Sequence, residues 1–295
     1  MNQTAEQLAP GLYLVSVPIG AARDITLRAL DILANAEVLA AEDTRAMRRL
    51  LEIHGIAVGQ RPLLAYHDHN GARMRPRLLA ELAAGRSVAY ASEAGTPLVA
   101  DPGFALARDA RDAGYMVTAA PGATAAIAAL TLSGLPSDRF LFAGFLPNTA
   151  SKRKAALRDL AAVPATLILY ESPKRVAAML ADAAEVCGAT RPAALCREIT
   201  KRFEEVRRGN LADLAEGCAE DPPRGEIVVL IGQGDSAIIN DIDIDRALSE
   251  ALAGSSVRDA ADQVSVALGL PRRDVYQRAL ALNKSVNGAA SDSAE

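Results

Sequence analysis

The chain has 295 residues, of which 50% are hydrophobic and 23% are charged. This length supplies enough apolar side chain for sizeable cores and favours two compact domains over one. With no Trp and only 4% aromatic residues, widespread stacking of nucleic-acid bases on aromatic side chains is excluded. The formal net charge of −4 argues against a protein that coats nucleic acid through charge alone.

Charge and cysteine are distributed unevenly. Residues 139–209 contain 13 Arg and Lys against 7 Asp and Glu, a local net charge of +6, which is typical of a solvated helix surface or of a phosphate contact. The three cysteines form no CxxC pair, which favours reduced thiols over disulfides or a zinc site. The first ten residues lack a signal pattern, and no apolar stretch approaches the ~20 residues that span a bilayer. We therefore expect a cytoplasmic protein without a membrane partner.

Residues 10–120 alternate between short apolar runs and Ala- and Leu-rich amphipathic runs, a pattern typical of βα units. The predicted strands are 12–17, 38–41, 63–66, 88–92 and 115–119. Helices are predicted after the first four strands, through about residues 35, 53, 84 and 113, the first of them capped by Asp24 or Thr26. This alternation predicts a first α/β domain with a mainly parallel sheet, whose ligand lies at the carboxyl ends of the strands.

Residues 121–234 predict a second α/β domain, joined to the first at a hinge, Pro121-Gly122. Its predicted helices are 124–133, 151–161, 174–187 and 211–219, and its predicted strands are 140–145, 166–170, 193–197 and 226–231. A Gly- and Asp-rich linker over 233–245 leads to a small helical module, 241–285. Its predicted helices are 246–253, 256–268 and 272–282, with a helix-turn-helix break at Gly269-Leu270-Pro271. The end of the chain, 288–295, is predicted to be disordered.

The most informative motif is SEAGTPLVADPG, residues 92–103, which follows the fourth predicted strand. Its glycines let backbone approach a ligand closely, and its prolines keep the segment out of a helix. Backbone amides and Thr96 could then hold an adenosyl or carboxylate group. Neither GxGxxG nor GxxxxGK[ST] follows the first strand, which weakens the dehydrogenase and nucleoside triphosphatase interpretations.

Several blocks occur together in one order: LYLVSVPIG, DITLRALDIL, AAEDTR, YHDHN, SEAGTPLVADPG, PGATAAIAAL, SGLPSDRFLFAGFLP, YESPKR and REITKRFEEVRRG. Over roughly residues 12–232 the chain resembles the RsmI family of ribosomal RNA small-subunit 2′-O-methyltransferases, within the tetrapyrrole methylase superfamily. The tail also resembles the C-terminal helix-turn-helix of that family. The chain departs from the family pattern in two places. Ala21-Ala22 replaces Asn-Leu, which puts in doubt any side-chain role at position 21, and Glu93 replaces Asp with its charge kept.

The resemblance implies two α/β domains with S-adenosylmethionine in the cleft between them, and a homodimer. It implies methylation of the ribose 2′-OH of a cytidine in the decoding region of 16S ribosomal RNA, so the 30S subunit is the expected partner. The residues expected to contact the cofactor are Pro18, Ser92, Glu93, Ala94, Gly95, Thr96, Pro97, Ala125, Ala126, Tyr170 and Glu226.

A ribose hydroxyl is a poor nucleophile while protonated, so a nearby proton acceptor should accelerate the reaction. Glu42 and Asp43 follow the second predicted strand, and Glu171 and Glu198 also neighbour basic residues, which would keep each carboxylate ionised. We favour Asp43 as the catalytic residue and keep Glu42 as its alternative. Asp43 could equally cap the helix that follows it.

Basic side chains in the second predicted domain are candidate phosphate contacts. Those predicted to bind RNA are Lys152, Arg153, Lys154, Arg197, Lys201 and Arg202, with Arg207 and Arg208 as further candidates. Arg175 is a weaker candidate because it could pair with Glu171. The segment His67-Asp68-His69 invites a metal interpretation, but one turn with two His and one Asp rarely closes a site, so no metal is expected.

Two alternative functions remain open from the sequence. One is a methyltransferase of the same superfamily that acts on a tetrapyrrole or a diphthamide precursor. The basic second domain and the added tail argue against a small planar anion as the only partner. The other is a non-catalytic RNA-binding module that retains the cofactor cleft. Cofactor binding would separate this module from an enzyme.

Overall fold

The computed structural model describes residues 7–234, 241–268 and 272–291. The chain divides into two compact units, Met1–Gln233 and Gly234–Glu295. The first unit contains both sheets, and the second contains three helices. The predicted division of the first unit into domains 10–120 and 121–234 stays a prediction.

The first sheet is entirely parallel, as predicted, with the strand order β3-β2-β4-β1-β5. Its central strands are buried along their whole length because helices cover both faces of such a sheet. The strands are β1 (Gly11–Val15), β2 (Val38–Ala41), β3 (Leu63–Ala65), β4 (Ser87–Ala91) and β5 (Val117–Ala120). The helices are α1 (Leu27–Asn35), α2 (Thr44–Ile53), α3 (Gly71–Ala83) and α4 (Phe104–Asp112).

The second sheet is mixed, with the order β6-β7-β10-β8-β9. Only β6 and β7 pair in parallel, while β10 runs antiparallel to both of its neighbours. The strands are β6 (Phe140–Phe145), β7 (Thr166–Glu171), β8 (Pro192–Arg197), β9 (Glu205–Asn210) and β10 (Ile227–Ile231). The helices are α5 (Ala125–Ser133), α6 (Ala150–Ala161), α7 (Val176–Cys187) and α8 (Leu211–Glu220).

Strand β9 was missed by the sequence analysis. Its sequence, EVRRGN, contains three charged residues and one apolar residue, so it lacks the apolar alternation by which strands are recognised. It pairs with β8 at the sheet edge, where Arg197 lies opposite Glu205. Cross-strand charge pairing replaces burial as the local stabilising contact.

Two apolar layers cover the second sheet. On one face, α6, α7 and α8 bury Leu157, Met179 and Leu214 against the strands. On the other face, α5 packs Ala129 and Leu130 against β7, β8 and β10, in a cluster that also contains Ile19 and Ile199. The connection between β1 and α1, which contains Ile19, and the β8–β9 connection, which contains Ile199, therefore meet in one core. Both connections also line a cleft.

The second unit consists of α9 (Asp241–Leu252), α10 (Val257–Leu268) and α11 (Arg272–Ser291) around a small core that includes Leu248, Val264 and Val275. Two sequence predictions need correction. Helix α9 begins at Asp241, inside the predicted linker, and α11 continues through residues that were predicted to be disordered. The predicted break at 269–271 and the end of the chain at 292–295 lie outside the described residues.

Among the described residues, no helix combines the length and the apolar composition that are needed to cross a lipid bilayer.

Candidate active site

A cleft of about 660 Å³ lies within the first unit. Its walls come from the carboxyl ends of β1, β2 and β4 and from one edge of the second sheet, where β7 ends and β10 begins. The cleft therefore lies at the strand ends where the sequence predicts a ligand, and binding of a ligand there stays a prediction. Its lining residues are Pro18, Ile19, Gly20, Glu42, Ala46, Glu93, Ala94, Gly95, Thr96, Val99, Ala100, Asp101, Thr124, Ala125, Phe145, Tyr170, Glu171, Ser172, Pro173, Ile199, Lys201, Gly225, Glu226, Ile227 and Val228.

Eight of the eleven predicted cofactor residues line this cleft: Pro18, Glu93, Ala94, Gly95, Thr96, Ala125, Tyr170 and Glu226. The structure places the other three beside the lining residues. Ser92 is buried at the end of β4, Pro97 follows Thr96, and Ala126 donates its backbone N–H to Tyr170 Oη at 3.2 Å. The segments that the sequence predicts to contact the cofactor therefore lie together at one cleft, and the contacts themselves stay a prediction.

The loop after β4 is anchored at its start by backbone and hydroxyl contacts. Gly95 has φ 73° and exchanges backbone hydrogen bonds with Val17, at 2.9 and 3.1 Å. Thr96 Oγ1 donates to the Ala123 carbonyl at 3.0 Å and lies 2.9 Å from Thr124 Oγ1. These bonds join the first strand, the loop and the start of α5, so the backbone beside the cleft is held in one position.

The later part of the same loop is strained. Leu98 and Ala100 have φ values of 73° and 60°, and each such residue costs about 1–3 kcal/mol. Tyr90 anchors the loop, since its hydroxyl donates a hydrogen bond to the Pro102 carbonyl at 3.0 Å. A Cβ on Gly103 would lie 2.6 Å from the Tyr90 ring, so this position admits only glycine. Backbone strain of this kind is typical of a site in which the surrounding structure fixes a functional side chain.

The side chain that the strained loop fixes is Asp101, which the sequence analysis did not single out. It lines the cleft, and burial together with the negative charge of Glu42 raises its pKa to about 6. Glu42 also lines the cleft and accepts the Glu93 N–H at 3.2 Å. The one available sequence signal was that Asp101 is the sole Asp of the 92–103 motif. The burial that distinguishes it comes from the fold.

Asp43 has a different position. It is the N-cap of α2, where its Oδ1 accepts the N–H groups of Arg45 and Ala46 at 2.7 and 3.2 Å. The Arg45 guanidinium, 2.9 Å away, lowers the pKa of Asp43 to about 2. Asp43 is not among the residues that line the cleft. Its predicted catalytic role stays a prediction, and its contacts favour the capping alternative that the sequence left open.

The wall of the cleft at the start of β10 depends on a close approach between the Glu198 carboxylate and Gly225. Glu198 Oε1 accepts the Glu226 N–H at 3.0 Å, and Lys201 Nζ lies 3.1 Å from Glu198 and 3.0 Å from Glu226. A Cβ on Gly225, which has φ 86°, would lie 2.3 Å from Glu198 Oε1. Glu198 therefore positions the backbone of the wall through a hydrogen bond that only glycine permits. The hydrogen bond to Glu226 N lowers the pKa of Glu198, so the carboxyl is held ionised.

The predicted RNA contacts separate into buried and exposed side chains. Arg153 is 6% exposed, and its Nε donates to Asp182 at 2.7 Å. This prediction needs correction, since Arg153 joins α6 to α7 and is not accessible to a phosphate. Lys154 pairs with Glu185 at 2.6 Å, and Lys152 is exposed on α6.

Three further candidates lie near β8. Arg197 Nε donates to Glu205 at 2.5 Å, and Lys201 lines the cleft. Arg202 is exposed and stacks over the Phe203 ring, with its guanidinium carbon 5.4 Å from the ring centroid. The predicted pairing of Arg175 with Glu171 is confirmed, at 3.1 Å.

The segment His67-Asp68-His69 forms the entry to α3. Asn70 Oδ1 accepts the His67 N–H at 3.0 Å, and Asn70 Nδ2 donates to the Ala65 carbonyl at 3.1 Å. Asn70 therefore shapes the turn between β3 and α3. Within the described residues, no group of three or more His, Cys, Asp and Glu side chains is arranged to hold a metal ion.

Two family models match the chain. The model described as Tetrapyrrole (Corrin/Porphyrin) Methylases matches residues 11–215, and the model described as RsmI C-terminal HTH domain matches residues 240–283. A solved structure, the uroporphyrin-III-C-methyltransferase of Thermus thermophilus, is 27% identical and covers 76% of this chain and 94% of its own, with a TM-score of 0.54. The fold of two sheets around a cleft is therefore that of the tetrapyrrole methylases.

Curated relatives are more similar still. The protein named Ribosomal RNA small subunit methyltransferase I of Mesorhizobium japonicum is 48% identical over 279 residues, which cover 94% of both chains. The protein of the same name in Erythrobacter litoralis is 47% identical and covers 95% of this chain and 98% of its own. The chain therefore belongs to the ribosomal RNA small subunit methyltransferase I family of the tetrapyrrole methylases.

Proposed function

We propose that the protein transfers a methyl group from S-adenosylmethionine to the ribose 2′-OH of a cytidine in the decoding region of 16S ribosomal RNA. Membership of the family supports methylation of ribosomal RNA. The other parts of the proposal, the methyl donor and the ribose hydroxyl as acceptor, depend on one observation. The cleft is large enough for the cofactor and holds a half-buried carboxylate, Asp101, with a pKa raised to about 6.

The chemistry of the cleft fits S-adenosylmethionine. Its lining contains five carboxylates, Glu42, Glu93, Asp101, Glu171 and Glu226, against a single ammonium, Lys201. A ligand with a sulfonium and an amino group is positive at two points, which such a lining stabilises. The volume of about 660 Å³ lies within the usual range for small-molecule sites. Backbone groups of Ala94–Thr96 and Ala125 would hold the ligand, with Tyr170 and Ile199 as apolar walls.

The bound cofactor supplies a methyl group on a positively charged sulfur, which is transferred by in-line displacement. The chain contributes alignment, and alignment can be worth up to ~7–11 kcal/mol. Asp101 takes the proton of the ribose 2′-OH on its carboxylate as the oxygen–carbon bond forms. With S-adenosylmethionine bound, its sulfonium would be the leaving group, and the electron pair of the carbon–sulfur bond would remain on sulfur. A carboxylate with a pKa near 6 is ionised at neutral pH and is still basic enough to accept a proton.

Glu42 is the second proposed acceptor, since it lines the cleft and raises the pKa of Asp101 through its charge. Asp43 remains a weaker proposal because its carboxylate is already occupied by α2 and Arg45. Lys152, Lys154, Arg197, Lys201 and Arg202 are proposed RNA contacts. We further propose a cytoplasmic homodimer that acts on the 30S subunit and a helical module, 241–285, that contacts RNA or a partner.

The test is transfer of a radiolabelled methyl group from S-adenosylmethionine to 30S subunits isolated from cells that lack the gene. Nuclease digestion and mass spectrometry should locate one 2′-O-methylcytidine in the decoding region. Naked 16S RNA and a uroporphyrinogen are the parallel substrates. Transfer to the tetrapyrrole without transfer to RNA would overturn the proposal, and so would the absence of calorimetric S-adenosylmethionine binding with and without 30S particles.

A further inference from the structure

A second concavity of about 780 Å³ lies at the same edge of the second sheet, beside the start of β9. We call it the basic groove. It is lined by Pro173, Lys174, Arg197, Glu205, Arg207, Asp221, Pro222, Pro223 and Arg224. Four cations and two carboxylates give it a local charge opposite in sign to that of the cleft.

The two carboxylates of the groove are already neutralised. Glu205 accepts from Arg207 Nε at 2.9 Å and from Arg197 Nε at 2.5 Å, and Asp221 pairs with Arg207 at 2.6 Å. The hydrogen bonds from Arg207 and Arg197 lower the pKa of Glu205, so the Glu205 carboxylate stays ionised and paired. The network builds the floor of the groove and leaves two cations, Lys174 and Arg224, to act on a ligand.

Lys174 and Arg224 are both exposed. Within the residues that the structure describes, neither side chain has a carboxylate within ion-pair distance. The Arg224 carbonyl accepts a hydrogen bond from Arg197 at 3.1 Å. Their ammonium and guanidinium groups are therefore available to a phosphate without breaking any internal pair, unlike those of Arg197 and Arg207.

The groove is continuous with the cleft along two chain segments. Pro173 lines both concavities, and Lys174 is the next residue; Gly225 lines the cleft, and Arg224 immediately precedes it. Adjacent Cα atoms are about 3.8 Å apart. Each free cation therefore stands one residue away from the cleft wall, within reach of a phosphate next to a ribose bound in the cleft.

We propose that the basic groove binds the phosphodiester backbone of the RNA strand immediately beside the nucleotide whose ribose is methylated. The inference rests on the proposed function for the identity of that nucleotide. The acidic cleft repels RNA and attracts the cationic cofactor, so RNA needs a separate site of positive charge. Lys174 and Arg224 supply this charge. When they bind phosphates, the counterions condensed on the RNA are released, which favours binding.

The experiment measures binding of the full-length protein to 30S subunits and to a single-stranded RNA oligonucleotide over a series of salt concentrations, without cofactor. Lys174→Ala with Arg224→Ala should weaken binding about 10- to 30-fold at 0.1 M salt and reduce the logarithmic salt slope by about 1.4. Lys174→Arg with Arg224→Lys should restore both. The matched control is Arg73→Ala with Arg77→Ala, which removes two exposed cations from α3.

Unchanged affinity and salt slope in the groove variant, or an equal loss in the α3 control, would overturn the inference. The groove variant should keep the wild-type melting temperature and cofactor affinity, so that a folding defect is recognised. The readout is independent of methyl transfer. A protein that binds RNA through the groove but transfers no methyl would contradict the proposed function alone, whereas full transfer with an unaffected groove variant would contradict the groove alone.

Discussion

The cleft and the basic groove adjoin each other and differ in almost every physical property. The cleft is lined by five carboxylates and one ammonium, and strained backbone holds one of its carboxylates half-buried. The groove is lined by four cations and two carboxylates, most of them paired. If both proposals hold, one edge of the second sheet separates a cationic small molecule from a polyanion over a single residue step.

The largest expected effect concerns the acceptor in the cleft. Asp101→Asn keeps the shape of the side chain but cannot accept the proton, so turnover should fall by about 10²- to 10⁴-fold. In the wild type, kcat/KM should rise with pH up to about 6, where Asp101 ionises, and the variant should lose this limb of the profile. Methyl-transfer assays from pH 5 to 8 provide the measurement.

The matched control for this prediction is Asp159→Asn, the same chemical change at an exposed position of α6, which should leave turnover unchanged. Cofactor affinity measured by calorimetry should match the wild type in Asp159→Asn and fall by no more than a few-fold in Asp101→Asn, which removes one of the five carboxylates of the cleft. An Asp101→Asn enzyme with near-normal turnover and an intact pH profile would transfer the catalytic assignment to Glu42.

A smaller effect is expected at the wall that the cleft shares with the groove. Gly225→Ala would place a Cβ 2.3 Å from Glu198 Oε1 and should displace the carboxylate that holds the Glu226 backbone. We expect the dissociation constant for S-adenosylmethionine to rise about tenfold, or about 1.4 kcal/mol. Isothermal titration calorimetry measures this dissociation constant.

The control is Gly188→Ala, because Gly188 also has positive φ, 102°, but nothing lies within 4 Å of its Cβ position. It should cost stability through backbone strain alone and leave cofactor affinity intact. Equal affinities for Gly225→Ala and the wild type would show that the contact between Glu198 and the glycine does not shape the cofactor wall.

Burial of Asp101 should also appear in the pH dependence of stability. Its folded pKa of about 6 lies above the ordinary 3.8, so the native state holds the proton more tightly than the unfolded chain. Wild-type stability should therefore decrease relative to Asp101→Asn as pH rises from about 4 to 6. After allowance for solvent screening the difference should reach about 1 kcal/mol and stay constant above pH 7.

Urea unfolding of the wild type and of Asp101→Asn at pH 4, 6 and 8 tests this prediction. A free-energy difference that does not change with pH would mean that Asp101 titrates as an ordinary exposed carboxyl. It would also weaken the acceptor assignment, since the same burial supports both.

The smallest effect is expected at Asp43. Asparagine is as good an N-cap as aspartate, so Asp43→Asn should retain turnover within a few-fold and change stability only slightly, chiefly through loss of the exposed Arg45 pair. Methyl transfer and thermal unfolding provide the two measurements. A loss of turnover as large as that of Asp101→Asn would instead restore Asp43 as the catalytic residue.

Much of the architecture followed from local pattern. The apolar runs located the strands of the first sheet, and the βα alternation predicted their parallel pairing, which the structure confirms. Strand β9 and the extent of α11 were not predictable in this way. β9 is stabilised by pairing with β8, not by its own apolar residues, and a polar helix end carries no signal in hydrophobic periodicity.

The sequence by itself determined the family, the loop 92–103 and the segments that meet at the cleft, because the spacing of glycine, proline and apolar residues is a local property of the chain. Only the tertiary structure decided which side chain of each segment does what. Asp43 and Asp101 are chemically identical, yet one caps α2 beside Arg45 and the other is buried near Glu42. Burial, neighbouring charge and the placement of exposed cations beside a cleft arise only when distant segments pack together.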